Sequence, residues 1–186
     1  MSTPYKPTTA QIIALDKWEA RVKDVPNAWF DAPLVAVSKE RPRTGKSGHM
    51  YTPKKTQDFE RAIASWYKKS GNKIFTHALE VTINIKTVIP ESWHSTKRLL
   101  ALRGLLLPTR GDLDNQIKAI TDGLNGVAYL DDVQINRIIA VRTYGTKSNI
   151  HVMIQPIGLS SQEVEQALYT LKAAHNDQRK TYKGRA

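Results

Sequence analysis

Cysteine is absent from the 186 residues, which excludes a disulfide-stapled scaffold and a zinc site built on thiolates. Long apolar runs are missing too. No stretch approaches the roughly 20 apolar residues that a bilayer helix requires, so no membrane is expected among the partners. The start, Met1-Ser-Thr-Pro-Tyr-Lys6, lacks the apolar stretch of a secretory signal. A soluble protein of the cytoplasm is the expectation. Acidic residues are scarce: 17 Asp and Glu stand against 28 Lys and Arg, giving a net charge of +11 and a pI near 9.8. Such an excess suits a polyanionic partner, nucleic acid being the commonest.

The few acids are not spread evenly. Asp112, Asp114, Asp122, Asp131 and Asp132 fall within one window of the chain, where an even spread would place about two. Lys118 is the only Lys or Arg between Asp112 and Asp132. A basic chain with one concentrated acidic island has the charge pattern of a phosphate binder that also holds a cation.

The length supports one modest core with appendages. The reading divides the chain into a helical extension over 1–31, a core over 32–158, and a C-terminal helix with a basic tail over 159–186. Leu15, Trp18, Val22 and Val25 keep helical spacing until Pro26. Residues 33–38 read as a first strand. A loop rich in Pro, Gly and positive charge follows, carrying Lys39, Arg41, Arg43, Lys46, Lys54 and Lys55 with Tyr51 among them. It suits a phosphate backbone, with Tyr51 stacking on an unpaired base; an ordinary solvated loop is the alternative. Thr56 reads as the cap of a helix through Phe59, Ile63 and Tyr67, closed at Gly71. Alternation predicts strands over 79–88, 133–143 and 149–156, the last two forming a hairpin. Trp93 to Arg103 holds a short helix ending at Gly104. Ser160 and Glu163 form a capping box ahead of the final helix, and the chain from His175 onward reads as a frayed tail.

Leu113, Ile117, Ile120 and Leu124 make one stripe of a helix, and Gly126 supplies its stop. Asp112 falls at the N-cap, and Asp114 and Lys118 share another face. Two carboxylates from adjacent backbone levels, with Leu113 anchoring them, suit a hard cation such as Mg²⁺, which takes oxygen ligands and keeps several waters. A third would come from Asp131 or Asp132, of which only one reaches the site because successive residues entering a strand face opposite ways. A divalent ion brings the pKa of water into a useful range, and the Lys118 ammonium stabilises charge on a phosphodiester under attack. Each residue also has an ordinary role: Asp112 as a cap, Asp114–Lys118 as a surface pair worth about 0.3–0.5 kcal/mol, Asp131–Asp132 as a solvated turn. Those roles leave the concentration of acid unexplained. A lone Asp-x-Asp is also used by nucleotide-sugar transferases, which a chain this short and basic fits poorly.

The run from Gly111 to Gln134, GDLDNQIKAITDGLNGVAYLDDVQ, resembles the signature of RusA-type Holliday junction resolvases. Arg41-Pro-Arg43 with Tyr51-Thr-Pro-Lys-Lys-Thr56 resembles the family's basic motif, and Pro90-Glu-Ser-Trp93 with Lys97 and Arg98 resembles its middle loop. The resemblance covers roughly residues 33–156. It implies an α+β fold, a small mixed sheet with helices packed on it. It also implies a Mg²⁺-dependent endodeoxyribonuclease, with Mn²⁺ as a substitute, that acts as a homodimer and nicks four-way DNA junctions symmetrically in recombination or repair. Catalytic positions carry over onto Asp112, Asp114, Asp132 and Lys118, with Asp112, Asp114 and Asp132 as metal ligands and Asp131 as an accessory acid. DNA contacts carry over onto the basic loop and onto Lys97 and Arg98. Many members belong to phages and prophages. A catalytically inactive branched-DNA-binding module of the same fold is the alternative, against which the retained acids and lysine count.

Overall fold

The computed structural model describes residues 6–44 and 48–183. In chain order the elements are α1 (Thr9–Asp24), β1 (Ala28–Ala32), β2 (Arg43–Thr44), β3 (Met50–Tyr51), α2 (Lys54–Lys69), β4 (His77–Val88), α3 (Ser95–Leu102), α4 (Leu113–Leu124), a 3₁₀ turn (Asp132–Gln134), β5 (Ile135–Gly145), β6 (Asn149–Ser160) and α5 (Ser161–Lys183). The chain divides into two compact units. One comprises residues 27–75 and 79–155; the other comprises 1–26, 76–78 and 156–186.

In the first unit a four-stranded sheet has the order β1-β6-β4-β5. The β1–β6 pair is antiparallel and β4–β5 is parallel, so the sheet is mixed as expected. Val81, Ile83 and Ile85 of β4, Ile150, Val152 and Ile154 of β6, and Phe30 of β1 are buried on one face. They meet Phe59, Ile63 and Tyr67 of α2 and Ala119, Ile120 and Leu124 of α4, also buried. Each such side chain contributes about 1.5–3 kcal/mol relative to exposure. Alternation sends Arg137, Ile139 and Val141 of β5 to the other face.

Three expectations need correction. The first strand is Ala28–Ala32, not 33–38, because Pro33 has no N–H to continue the ladder. Helix α2 starts at Lys54 behind Pro53, and Thr56 is its third residue, within the first turn and fully buried. Finally, β5 and β6 do not form a hairpin. β4 lies between them, and the short connection passes over its end, where Ile89 N–H donates to the Gly145 carbonyl at 3.1 Å and Val88 N–H to the Ser148 hydroxyl at 3.3 Å. Alternation is the same for either partner, so it does not choose between them. A parallel β4–β5 pair needs a crossover, and that crossover carries α3 and α4.

Helices α2 and α4 approach closely at Gly123. A Cβ there would lie 2.8 Å from the Glu60 carbonyl oxygen and 3.1 Å from Ile63 Cβ. Gly123→Ala therefore costs about 1–3 kcal/mol by overpacking, readable as a lower urea midpoint at an unchanged slope.

The second unit contains α1 and α5, which pack on each other. The two ends of the chain, read from sequence as separate appendages, thus belong to one body. Thr8 and Gln11 form the capping box of α1, and Gln11 Nε2 donates to the Leu171 carbonyl at 3.4 Å. Helix α5 continues to Lys183 where a frayed tail was expected from His175. The Ser160–Glu163 box forms as read: Ser160 N–H donates to Glu163 Oε2 at 2.9 Å and Glu163 N–H to Ser160 Oγ at 3.3 Å. The Ser160 N–H lowers the Glu163 pKa; burial opposes it, and the Ser160 hydroxyl, His77 and Arg21 add to the lowering. A depressed carboxylate stabilises the fold fully above its unfolded value near 4.5 and loses that contribution as pH falls through the folded value. Glu163→Gln accordingly flattens the acid limb of the stability–pH curve below about pH 5. Among the described residues no helix is long and apolar enough to cross a membrane.

Candidate nuclease site

Asp112 is the N-cap residue of α4 in extended conformation, yet its side chain caps no backbone N–H. One oxygen accepts a 3.4 Å contact from Asn115 Nδ2 and the carboxylate is exposed. Asp114, in the first turn, is exposed and forms no side-chain hydrogen bond or ion pair among the described residues. The loop before them is strapped down. Arg142 of β5 donates to the carbonyls of Pro108 at 2.9 Å and Arg110 at 3.0 Å, to that of Gly111, and to Gln116 Oε1 at 3.3 Å. Gly111 adopts φ 76°, and a Cβ there would lie 2.9 Å from Ser38 Oγ, so glycine is required. Sequence reading missed Arg142, which lies 30 residues downstream of Asp112. Arg142→Met frees four acceptors beside Asp112. Loss of these bonds is expected to cost about 1–3 kcal/mol, read as a lower urea midpoint at an unchanged slope.

Lys118 is exposed and reaches Asp122, not Asp114: Nζ lies 3.3 Å from Asp122 Oδ1. Asp122 also accepts from Lys39 Nζ at 2.5 Å, and Lys39 bridges on to Glu60 at 2.5 Å. Burial alone would lower the Lys39 pKa, but hydrogen bonds and charge from Asp122 and Glu60 outweigh it and the pKa is raised. Lys39 is thus neutralised between two carboxylates. It leaves the phosphate-facing set and ties the loop after β1 to α2 and α4. Its signal was present only as a lysine four residues ahead of Arg43, so sequence grouped it with the loop.

Asp131 and Asp132 follow Tyr129, whose ring is fully buried and whose hydroxyl donates to the Thr121 carbonyl at 2.6 Å. Burial, then the charges of Asp132 and Asp122, push the Tyr129 pKa up. Asp131 caps the 3₁₀ turn, accepting from Val133 N–H at 2.9 Å; Asp132 is exposed and makes no side-chain hydrogen bond or ion pair among the described residues.

One expectation fails within the single chain. Asp132 sits beside the C-terminal end of α4 and the start of β5, while Asp112 and Asp114 sit at the N-terminal end of α4 beside Arg142. The helix between them is about 18 Å long. Among the described residues no three His, Cys, Asp or Glu side chains converge into a metal site. What the chain offers instead is two separate sets of exposed carboxylates, Asp112 with Asp114 at one end of α4 and Asp132 beyond the other, none of them in an ion pair among the described residues. Such hard, exposed oxygens fit a hydrated Mg²⁺, which needs only one or two protein carboxylates.

The cationic residues divide similarly. Arg41, Arg43, Lys54 and Lys55 are exposed around the β2–β3 ribbon, with Tyr51 49% exposed and Arg43 paired to Glu40 at 2.9 Å. Lys46 lies outside the described residues. Lys97 and Arg98 are exposed on α3, Lys97 Nζ lying 4.0 Å over the Trp93 ring. Sequence missed a further group. Lys86, Arg103 and Lys147 line a groove of about 640 Å³ with Thr143 and Asn149, at the finishing ends of β4 and β5. They are far apart in sequence, and only the crossover brings them together.

Residues 33–155 match the family described as endodeoxyribonuclease RusA. The chain belongs to that family. Membership supports nuclease activity, since the family is one of endodeoxyribonucleases, and the RusA match spans the first unit apart from residues 27–32. A relative is the uncharacterized protein YqaN of Bacillus subtilis (strain 168), 30% identical over 129 residues that cover 65% of this chain and 90% of YqaN. Asp112, Asp114, Lys118 and Asp132 all lie inside the RusA match, whereas α1 and α5 lie outside it.

Proposed function

We propose that this protein is a divalent-metal-dependent nuclease that cuts four-way DNA junctions by paired nicks, as a homodimer, in phage or bacterial recombination or repair. The observation carrying this reading is the pair Asp112 and Asp114, held on a strapped helix start with both carboxylates exposed and neither used to cap the helix. A bound Mg²⁺ or Mn²⁺ would supply a water of lowered pKa and charge at the scissile phosphate. Lys118, one turn beyond Asp114, offers an ammonium to the non-bridging oxygens, and Asp122 keeps that side chain from swinging free. The Lys86, Arg103 and Lys147 group and the ribbon residues Arg41, Arg43, Lys54 and Lys55 receive the DNA backbone.

Dimerisation is supported at the edge of the sheet. Among the described residues β5 has a strand neighbour on one side only, and Ile138, Ile139 and Val141 on it are 43%, 45% and 47% exposed. Leu99, Leu102, Leu105 and Leu107, of α3 and the loop after it, add further exposed apolar surface. An open, apolar strand edge of this kind calls for a partner. A two-fold dimer presents two equivalent centres to a substrate with near two-fold symmetry.

The test is a set of end-labelled substrates (four-way junction, linear duplex, flap) incubated with the protein in Mg²⁺. Cutting confined to the junction, at symmetric positions in opposite strands, is the expected outcome. Equal cutting of linear duplex overturns the structure specificity. Tight junction binding without cuts in either Mg²⁺ or Mn²⁺ favours the inactive binding module.

A further inference from the structure

Strand β1 alternates strictly: Ala28, Phe30 and Ala32 are buried, whereas Trp29 and Asp31 are exposed. Phe30 turns inward and meets the Tyr67 ring edge-on at 5.8 Å. Trp29 is left 62% exposed, its ring 6.3 Å from that of His151 on β6. Beside it lies a hollow of about 380 Å³, within the range of small-ligand sites (roughly 300–1,000 Å³). Trp29, Asp31, Trp66, Lys69 and Asn72 are among the residues lining it. A lone exposed indole is ordinary on a protein surface, but this hollow joins two indoles to a cation and a carboxylate.

That set matches the parts of a nucleotide. The indoles offer flat faces for a base to stack on. Lys69 Nζ sits 5.0 Å over the Trp66 ring and is in no ion pair among the described residues, so its charge is open to a phosphate. Lys68 and Lys73, both exposed, add to it. Asp31 supplies an acceptor. Its Oδ1 takes Asn149 Nδ2 at 2.7 Å and lies 3.3 Å from His151 Nδ1, while Oδ2 has no partner among the described residues. Burial would raise the Asp31 pKa, but those two hydrogen bonds and the charges of His151 and Lys86 outweigh it, so the carboxylate stays ionised. An ionised carboxylate only accepts, which suits the amino group of cytosine, adenine or guanine and not the carbonyls of thymine.

Asn149 ties the hollow to the cationic groove, since it also lines the groove of Lys86, Arg103 and Lys147. A strand whose phosphates follow that groove is led to the hollow. A peptide adding to β1, which ends the sheet among the described residues, fits less well. Asn72 Nδ2 already takes the Trp29 carbonyl at 3.0 Å, and the strand is only five residues long before Pro33.

We infer that this hollow receives one unpaired base of a DNA strand, stacked on Trp29, with its amino group on Asp31 and its phosphate near Lys69. The inference rests on DNA being the ligand, as the nuclease reading has it, and goes beyond that reading because it needs no cut. It gives the protein a hold on a strand opened at a branch point.

Binding measured in EDTA, where no strand is cut, decides the matter. Anisotropy of labelled oligodeoxycytidine, oligodeoxythymidine and a linear duplex shows the wild-type protein holding cytosine more tightly than thymine. Trp29→Ala weakens oligodeoxycytidine binding about 10–100-fold, the range for losing one stacked base, and leaves duplex binding unchanged. Asp31→Asn, which donates as well as accepts, removes the preference for cytosine over thymine. A second readout needs no variant: in fluorotryptophan-labelled protein, oligodeoxycytidine moves the fluorine resonances of Trp29 and Trp66 and leaves that of Trp18, on α1, in place. A Trp29→Ala chain that binds oligodeoxycytidine like wild type, or loses duplex binding in equal measure, overturns the inference, as does a shift confined to Trp93. Trp29 and Trp66 resonances that ignore DNA but move with an extended peptide overturn it too and assign the hollow to strand addition. A protein that binds as expected yet nicks no junction in Mg²⁺ or Mn²⁺ defeats the nuclease reading and leaves the base site standing.

Discussion

Asp114→Asn silences nicking of a four-way junction by on the order of 10³-fold, the scale seen when one group that stabilises a transition state is removed, and leaves junction binding intact or tighter. The two halves of that expectation come from the same fact. Asp114 is exposed on the first turn of α4 and no other side chain is bonded to it among the described residues, so the substitution disturbs no packing and changes stability by less than about 0.5 kcal/mol. Replacing a carboxylate with a neutral amide also removes a charge that repels phosphate. Single-turnover cleavage and mobility-shift titration on the same junction separate the two quantities. Loss of binding in parallel with cutting would show that Asp114 shapes the DNA surface rather than the reaction.

The largest stability effect is expected at Tyr129. Its ring is fully buried, its hydroxyl holds the Thr121 carbonyl at 2.6 Å, and its backbone bridges to both Phe75 and Asn125. Tyr129→Ala leaves a cavity beneath α4 and costs about 3–5 kcal/mol, a fall in melting temperature on the order of 10 °C for a chain of this size. Tyr129→Phe keeps the ring, loses one hydrogen bond, and costs about 1 kcal/mol. Since Tyr129 anchors the turn that carries Asp131 and Asp132, the Ala variant also mispositions those acids, and nicking falls faster than the folded fraction does. A Phe variant as unstable as the Ala variant would mean that the hydroxyl, not the packing, carries the anchor.

The elements that sequence rendered best are those whose signal is local. The capping chemistry at Ser160–Glu163, the glycines after α2, α3 and α4, and the apolar stripe of α4 each involve residues within a turn or two, and the structure follows them. The α4 stripe is rotated slightly: Gln116, Ala119 and Gly123 are buried with Ile120 and Leu124, while Leu113 and Ile117 are only half-buried. That rotation follows from the close crossing with α2 at Gly123, a contact between residues some sixty positions apart. The same holds for β5. Its alternation was visible, but its partner was not, because the choice between β4 and β6 depends on where the crossover lays α4. The signature residues were legible as residues and as a family resemblance. Their spacing along the chain nevertheless concealed that Asp132 enters at the opposite end of α4 from Asp112, and that Lys118 turns to Asp122. Arg142, Lys86, Arg103 and Lys147 had no local pattern to mark them; only the fold collects them.

The most direct measurement is strand cleavage of a labelled, immobile four-way junction by the wild-type protein, in Mg²⁺ and in EDTA, with the cut positions mapped to the nucleotide. The account predicts cuts at symmetric positions in two opposing strands in Mg²⁺ and none in EDTA. Cuts that persist in EDTA, or an intact junction in both Mg²⁺ and Mn²⁺, would contradict it.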